Sequence, residues 1–264
     1  MDLSIHLPPK KRIAARFARA VDSYELGAEV QVEIVKRVAD LMRDEVGEGQ
    51  IWGDLGSGTG MLAERLRAVS VGARFVCLDL AFAMLRHARM SLRSIMAVNG
   101  DIDFPPIRPE TFSGAAVVSV LQWVAHPEEA LRGIARMLRP GSPLYFSVFV
   151  DGSFSELVEL RARMGLPAVV WLPTVSEFLM TLDRAGFEVS VDDIKHFSRV
   201  HRFADALAAL GSLSSIGVTA TSGKLLNRTQ LDEMCRNYTL TFSKNGTVPL
   251  TYRAVIGKVR VGGQ

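Results

Sequence analysis

The sequence predicts an α/β fold: a mostly parallel, seven-stranded sheet with helices on both faces, N-terminal helices ahead of it and a helical insertion late in the chain. Two observations carry this expectation. From residue 50 onward, short apolar runs alternate with segments in which apolar residues recur every three or four positions, as strands feeding helices do. The first apolar run also ends in a glycine-rich turn, Gly56-Ser57-Gly58-Thr59-Gly60, that opens directly into a helical pattern.

The elements follow in order. After the Pro8-Pro9 breaker, Ile13 to Met42 reads as helical, with Phe17, Val21, Tyr24, Ala28, Val32, Val35 and Val38 on one stripe and Gly27 dividing it in two. Gln50 to Leu55 is the first strand and Met61 to Val69 its helix. Ala73 to Leu80 is the second strand, with a helix over Phe82 to Leu92; successive βαβ units need right-handed crossovers and so a parallel sheet. Val98 to Asp101 is a short third strand, Pro105, Pro106 and Pro109 mark a loop, and Gly114 to Val120 is a buried fourth strand by its apolar continuity. Pro127, at the first helical position with Glu128 and Glu129 behind it, suits both helix geometry and helix dipole, and opens a helix ending near Leu138.

Arg139-Pro140-Gly141 then turns into a fifth strand, Leu144 to Val150. Thr174 to Ala185 is a helix stopped by Gly186, followed by a strand around Phe187 to Val191, helical stretches at Phe203 to Leu210 and Arg228 to Tyr238, and a last strand, Leu250 to Val261. Without repeats or a clear linker, one domain is expected over 1–264: a helical cap (1–46), a ligand-binding core (50–197), a helical insertion (198–240) and the last strand (248–262).

Composition limits the function classes. With 48% apolar residues, the chain can bury a large core. A formal net charge of +3 is too slight for wholesale nucleic-acid binding. The two cysteines, Cys77 and Cys235, imply no disulfide framework, and neither they nor the five histidines show metal-ligand spacing, so no metal is expected. The first twenty residues contain no apolar run of signal-peptide length, and a cytoplasmic protein without a membrane anchor is expected.

The chemistry concentrates after three successive strands. In Asp54-Leu55-Gly56-Ser57-Gly58-Thr59-Gly60 the glycines let bare backbone approach a ligand in a tight strand-to-helix turn. A nicotinamide-binding turn is also glycine-rich, but with the spacing G-x-G-x-x-G; here it is G-x-G-x-G, with an acid two places before the first glycine. An anion at Asp54 would repel a pyrophosphate and attract the ammonium of a methionine moiety, so the charge sign favours S-adenosylmethionine. Asp79, ending the second strand, can accept two ribose hydroxyls, which supports a nucleoside ligand without choosing between the nicotinamide and S-adenosylmethionine readings. Asp101 is placed to accept from an adenine amino group, with Leu80, Met84 and Ile102 around the ring. Three acids at the carboxyl edge of one sheet point to a Rossmann-like class I methyltransferase that uses S-adenosylmethionine and releases S-adenosylhomocysteine.

The segment from Arg16-Phe17 through Tyr24 to Gln31, followed by the glycine turn, Leu121-Gln122-Trp123, Arg139-Pro140-Gly141 and Thr251-Tyr252-Arg253-Ala254-Val255-Ile256-Gly257, resembles the malonyl-acyl-carrier-protein O-methyltransferases of biotin synthesis over nearly the whole chain. The resemblance implies methyl transfer to the free carboxylate of malonyl on acyl carrier protein, with Tyr24 on a helix closing over the cofactor and Gln122 and Trp123 lining the methyl-transfer cleft. Another small-molecule carboxylate, or a quinone or lipid precursor, is the alternative acceptor. The chain departs from the family at Ser57, where cysteine is usual, at Val117 and Val118, where a serine-asparagine pair is common, and at Ser214, where many members carry a base. For an acidic carrier, Lys10, Lys11, Arg12, Arg16, Arg19, Arg199 and Arg202 are the candidate contacts.

Overall fold

The computed structural model describes residues 9–21, 28–92, 94–166, 172–215 and 227–262. Tyr24, Gly27 and the segment Ile216-Gly217-Val218 lie outside the described residues.

Five parallel strands form the body of the sheet: β1 (Ile51–Leu55), β2 (Arg74–Asp79), β3 (Met96–Asn99), β4 (Gly114–Val118) and β5 (Pro143–Phe149). Three antiparallel strands complete it: β6 (Phe187–Glu188), β7 (Ile194–Phe203) and β8 (Val248–Val261). The order is β3-β2-β1-β4-β5-β8-β6, with β7 also paired to β8. The helices are α1 (Lys10–Ala20), α2 (Glu29–Met42), α3 (Met61–Arg67), α4 (Phe82–Ser91), α5 (Pro127–Met137), α6 (Ser155–Arg163), α7 (Val175–Arg184), α8 (Ala206–Ser215) and α9 (Arg228–Phe242).

The sheet is buried on both faces, and each strand divides its residues between them with period two. Trp52, Phe75, Cys77, Ala116, Tyr145, Phe149, Ala254 and Ile256 join the apolar residues of α2, α3, α4, α6, α8 and α9 in one layer. Leu55, Val76, Leu78, Ala115, Val117, Leu144, Phe146, Val148 and Val255 pack with α5 and α7 in the other. Helix α7 begins in a reciprocal capping box between Thr174 and Glu177, and α9 in one between Asn227 and Gln230, so both starts are fixed by local bonding before any packing. Helix α6 is tied to β8 by the buried Glu156, whose carboxylate accepts from Thr251 N at 2.9 Å and Thr251 Oγ1 at 2.6 Å.

The sheet has one strand more than the expected seven, and the additional strand is β7, which forms by pairing with β8. In β7, Ile194, Phe197, Val200 and Phe203 recur every third residue, a helical spacing, while Lys195, Arg199 and Arg202 fill the positions between them. Charged residues of this kind protect an edge strand from pairing with another chain. The segment 198–203, expected at the start of a helical insertion, is therefore strand, and helices begin only at Ala206. The strand expected around Phe187 to Val191 is only two residues long, and a turn of 3₁₀ helix takes Val191–Asp193. Helix α6 has no counterpart among the expected elements.

Close approach of β1 and β4 depends on Gly114, which pairs with Trp52. A Cβ there would stand 2.3 Å from Trp52 Cζ3, within a fully buried ring held at its Nε1 by Gln50 Oε1 at 2.8 Å. Gly114→Val should therefore lower stability by about 1–3 kcal/mol through overpacking. Urea unfolding measures it, and pairing the change with Trp52→Leu should recover part of the loss.

Candidate active site

The parallel strand order reverses between β1 and β4, where chains leave the sheet in opposite directions and open a crevice at their carboxyl ends. A cleft of roughly 860 Å³, its open mouth included, lies there. Its wall comes from the loops after β1 and β3, the ends of β2, β4 and β5, the cavity-facing side of α1 and Gln31 of α2.

The glycine turn is held against the sheet from two sides. Gly56 N and Ser57 N both donate to Leu78 O, at 2.7 and 3.0 Å. Gly56 has φ +78°, and a Cβ there would stand 2.3 Å from Val120 Cγ2, so only glycine fits. Gly60, at φ +84°, starts α3 against Ala88 of α4. Asp79 completes the tie: its Oδ2 accepts from Gly58 N at 2.8 Å and its Oδ1 from Ala81 N at 2.7 Å. Burial raises the Asp79 pKa while these two N–H groups lower it. A carboxylate has about four acceptor sites, so Asp79 can hold the loops and still accept from a pair of hydroxyls.

Asp54, expected as the anion that meets a methionine ammonium, stands behind the cleft wall and not on it. It is 3% exposed, off the cavity wall, and accepts the backbone N–H of Ala63 in the first turn of α3. Burial, partly offset by the Ala63 N–H and reinforced by the nearby Asp79, pushes its pKa up to about 7. Its Oδ2 has no partner. An unpaired buried acceptor of this kind fits a cation reached directly or through water.

Of the site residues predicted from the sequence, Gly56, Gly58, Asp79, Leu80, Asp101, Ile102, Gln122 and Trp123 line the cleft. Ser57 and Gly60 lie off its wall, in keeping with a role for the turn's backbone. Met84 is also off the wall, 1% exposed, because its position in α4 turns it inward. Asp101 lies in the loop two residues beyond β3, not at its end, and its Oδ1 accepts from Lys10 Nζ at 2.9 Å and from Asp103 N at 3.1 Å. Lys10 also meets Asp103 at 2.7 Å, so α1 is pinned over the cleft by this cation. The charge of Lys10 is thus spent within the site. Arg199 is likewise engaged, with Glu33 at 2.7 Å and Glu29 at 3.7 Å.

Gln122 and Trp123 sit on a turn of 3₁₀ helix, Leu121–Trp123, directly after β4. Ser119 precedes it with φ +57° and is held by Ser147, which accepts Ser119 N at 3.0 Å through both its carbonyl and its hydroxyl oxygen. Ser119 O in turn accepts Gln122 Nε2 at 2.9 Å, fixing the amide and leaving Oε1 buried without a partner. Trp123 meets Phe17 of α1 edge to face, 5.9 Å between centroids, closing the wall with Ile13 and Ala14. Val118 lines the cleft and Val117 is core, where the related pattern carries serine and asparagine. The polar wall at this point is supplied one residue later, by Ser119.

Sequence reasoning missed Lys10, Gln31, Ser119 and Phe149 as lining residues. Only Gln31 left a signal: it is the polar member of the buried stripe of α2. Among the described residues no group of three or more His, Cys, Asp or Glu is placed to hold a metal. No described helix is long and apolar enough to cross a membrane.

The raised Asp54 pKa has a definite sign for stability. A carboxyl that ionises near 7 folded and near 3.8 unfolded binds more protons folded between these values, so stability falls as pH rises through that window and stays lower above it. Asp54→Asn should therefore raise the thermal midpoint of the ligand-free protein at pH 8, with a gain that shrinks as the pH is lowered to 5. Thermal unfolding at both pH values checks this; a loss of stability at pH 8 would show that the Asp54 anion is well compensated.

Residues 53–146 match the family described as a methyltransferase domain. The chain is 30% identical to malonyl-acyl-carrier-protein O-methyltransferase of Yersinia pestis over 269 aligned residues, covering 96% of this chain and 94% of the relative. It is 29% identical to the enzyme of that name from Geobacter sulfurreducens, covering 94% and 97%. Among solved structures, an S-adenosylmethionine-dependent methyltransferase from Methanosarcina mazei superposes with a TM-score of 0.55 at 14% identity, covering 85% of this chain and 98% of that one, which supports the fold. With a ligand crevice at the switch point, acids after successive strands and near full-length agreement with these enzymes, the chain belongs to the malonyl-acyl-carrier-protein O-methyltransferase family.

Proposed function

We propose that this chain transfers the methyl group of S-adenosylmethionine to the free carboxylate of malonyl carried on acyl carrier protein, an early step toward pimelate and biotin, as a single cytoplasmic methyltransferase domain. The observation that carries the reading is the near full-length agreement with relatives of that name. The cleft supports it: Asp79 and Asp101 would meet ribose and adenine, Leu80 and Ile102 would flank the ring, and Asp54 Oδ2 would meet the methionine ammonium. When bound, S-adenosylmethionine supplies an electrophilic methyl group on a sulfonium.

The protein's part is then mainly placement. A carboxylic acid with a pKa of about 4 is already an anion at neutral pH, so no general base is needed. The apolar closure by Ile13, Phe17, Trp123 and Phe149 excludes water that would otherwise solvate and blunt the carboxylate. Gln122, its amide fixed on Ser119 O, holds the wall beside Trp123 in one orientation. Tyr24, by resemblance, closes the same site from the N-terminal side. Of the basic residues considered for the carrier, Lys11, Arg12 and Arg19 stand exposed on α1, the helix that walls the cleft.

Purified protein supplied with S-adenosylmethionine should form S-adenosylhomocysteine with malonyl carrier protein and much less with a panel of free acids; product with the free acids alone would reject the carrier substrate. Asp79→Ala removes the acceptor for the nucleoside and unties Gly58 and Ala81. It should weaken S-adenosylhomocysteine binding by about 2 kcal/mol or more, roughly 30-fold, for the charge-assisted hydrogen bonds lost. Calorimetry would show an unchanged affinity if the nucleoside lies elsewhere.

A further inference from the structure

Gln31 is a polar residue in an apolar place. It stands in the first turn of α2 on the stripe continued by Ile34, Val35 and Val38, all buried, and is itself only 5% exposed. It lines the cleft beside Phe17, Trp123 and Phe149. Its Nε2 has no hydrogen-bond partner, and among the described residues it is the only buried side-chain nitrogen in that condition. A leucine would serve packing better, since a buried donor without an acceptor is a standing loss of stability. The other amide on this wall, Gln122, cannot share the task, because its nitrogen is spent on Ser119 O and its free Oε1 would repel an anion.

We infer that Gln31 Nε2 is the donor that holds a carboxylate oxygen of the bound reactants, and that a neutral amide stands there because the carboxylate must be oriented without being neutralised. The inference deepens the proposed reaction. Both reactants carry a carboxylate: the malonyl acceptor and the methionine part of the cofactor. The acceptor fits the chemistry better. A lysine or arginine would form an ion pair and lower the nucleophilicity of the oxygen, and its charge would oppose the neighbouring sulfonium. An amide N–H on the oxygen that does not attack leaves the other free to react.

Two variants test this. Gln31→Leu keeps the volume and removes the donor; Gln31→Glu keeps the shape and puts an anion against the carboxylate. Both are assayed for S-adenosylhomocysteine affinity by calorimetry and for kcat and KM toward malonyl carrier protein. Gln31→Leu should be at least as heat-stable as the wild type, which separates its effect from misfolding. A tenfold or larger loss of kcat/KM for the acceptor, with S-adenosylhomocysteine affinity within twofold and Gln31→Glu worse than Gln31→Leu, assigns the acceptor carboxylate. A tenfold loss of S-adenosylhomocysteine affinity in both variants assigns the methionine carboxylate and still supports the donor role. Both quantities within twofold of wild type, or Gln31→Glu as active as wild type, overturns the inference. If the wild-type chain does not methylate malonyl carrier protein, the proposed reaction has failed, and unchanged S-adenosylhomocysteine affinity then overturns the donor role as well.

Discussion

The ligand cleft depends on one carboxylate. Asp79 accepts Gly58 N and Ala81 N together, tying the loop after β1 to the loop after β2 at the point where the strand order reverses. Without this tie, the glycine turn, which has φ values that few side chains adopt, would keep the bonds of Gly56 and Ser57 to the Leu78 carbonyl but lose its link to the end of β2. With it, Gly56 is pressed against Val120, Gly60 against Ala88, and the start of α3 is set over Asp54. One interaction thus fixes the near wall and also buries the second acid of the site. Acceptor capacity remains on Asp79 for a ligand, so stability and binding use the same atoms.

The far wall is built by closure from the N-terminal side. Lys10 reaches across to Asp101 and Asp103, and Phe17 packs on Trp123, so α1 is held by a charge contact at one end and an aromatic contact at the other. Exposed ion pairs contribute little individually. Here both carboxylates are largely covered, and the same cation lines the cleft. Helix α1 and the acids of the cleft are therefore one assembly, and a ligand meeting Asp101 does so in the presence of Lys10.

Several polar atoms in and behind this wall are buried without partners: Asp54 Oδ2, Gln122 Oε1 and Gln31 Nε2. Native interiors leave few such groups unsatisfied. Two acceptors and one donor together match reactants that bring both an ammonium and a carboxylate, and the stability they forgo in the free protein is the expected signature of a binding surface.

Much of this was legible in the sequence, for physical reasons that differ by element. The parallel strands are buried on both faces and so appear as continuous apolar runs, and the glycine turn could be recognised because its backbone geometry excludes side chains. Asp79, Leu80, Asp101 and Ile102 followed from strand ends, since in this topology carboxyl edges are where ligands lie. By contrast, β7 carries apolar residues every third position and becomes a strand only by pairing with β8. Met84 matched a ring-stacking position in sequence but is turned into the core by its helix, and Asp54 is an acid in sequence whose ionisation is set by the burial that folding imposes. Gln31 is distant in sequence from every other wall residue except those of α1, and no local pattern shows that its nitrogen lacks an acceptor. The sequence by itself determined the layered fold and the place of the glycine turn, because these follow from local periodicity and backbone sterics. Which side chains share a wall, which charges are already spent and which polar atoms remain free were decided only by tertiary packing, because they depend on contacts between segments far apart in the chain.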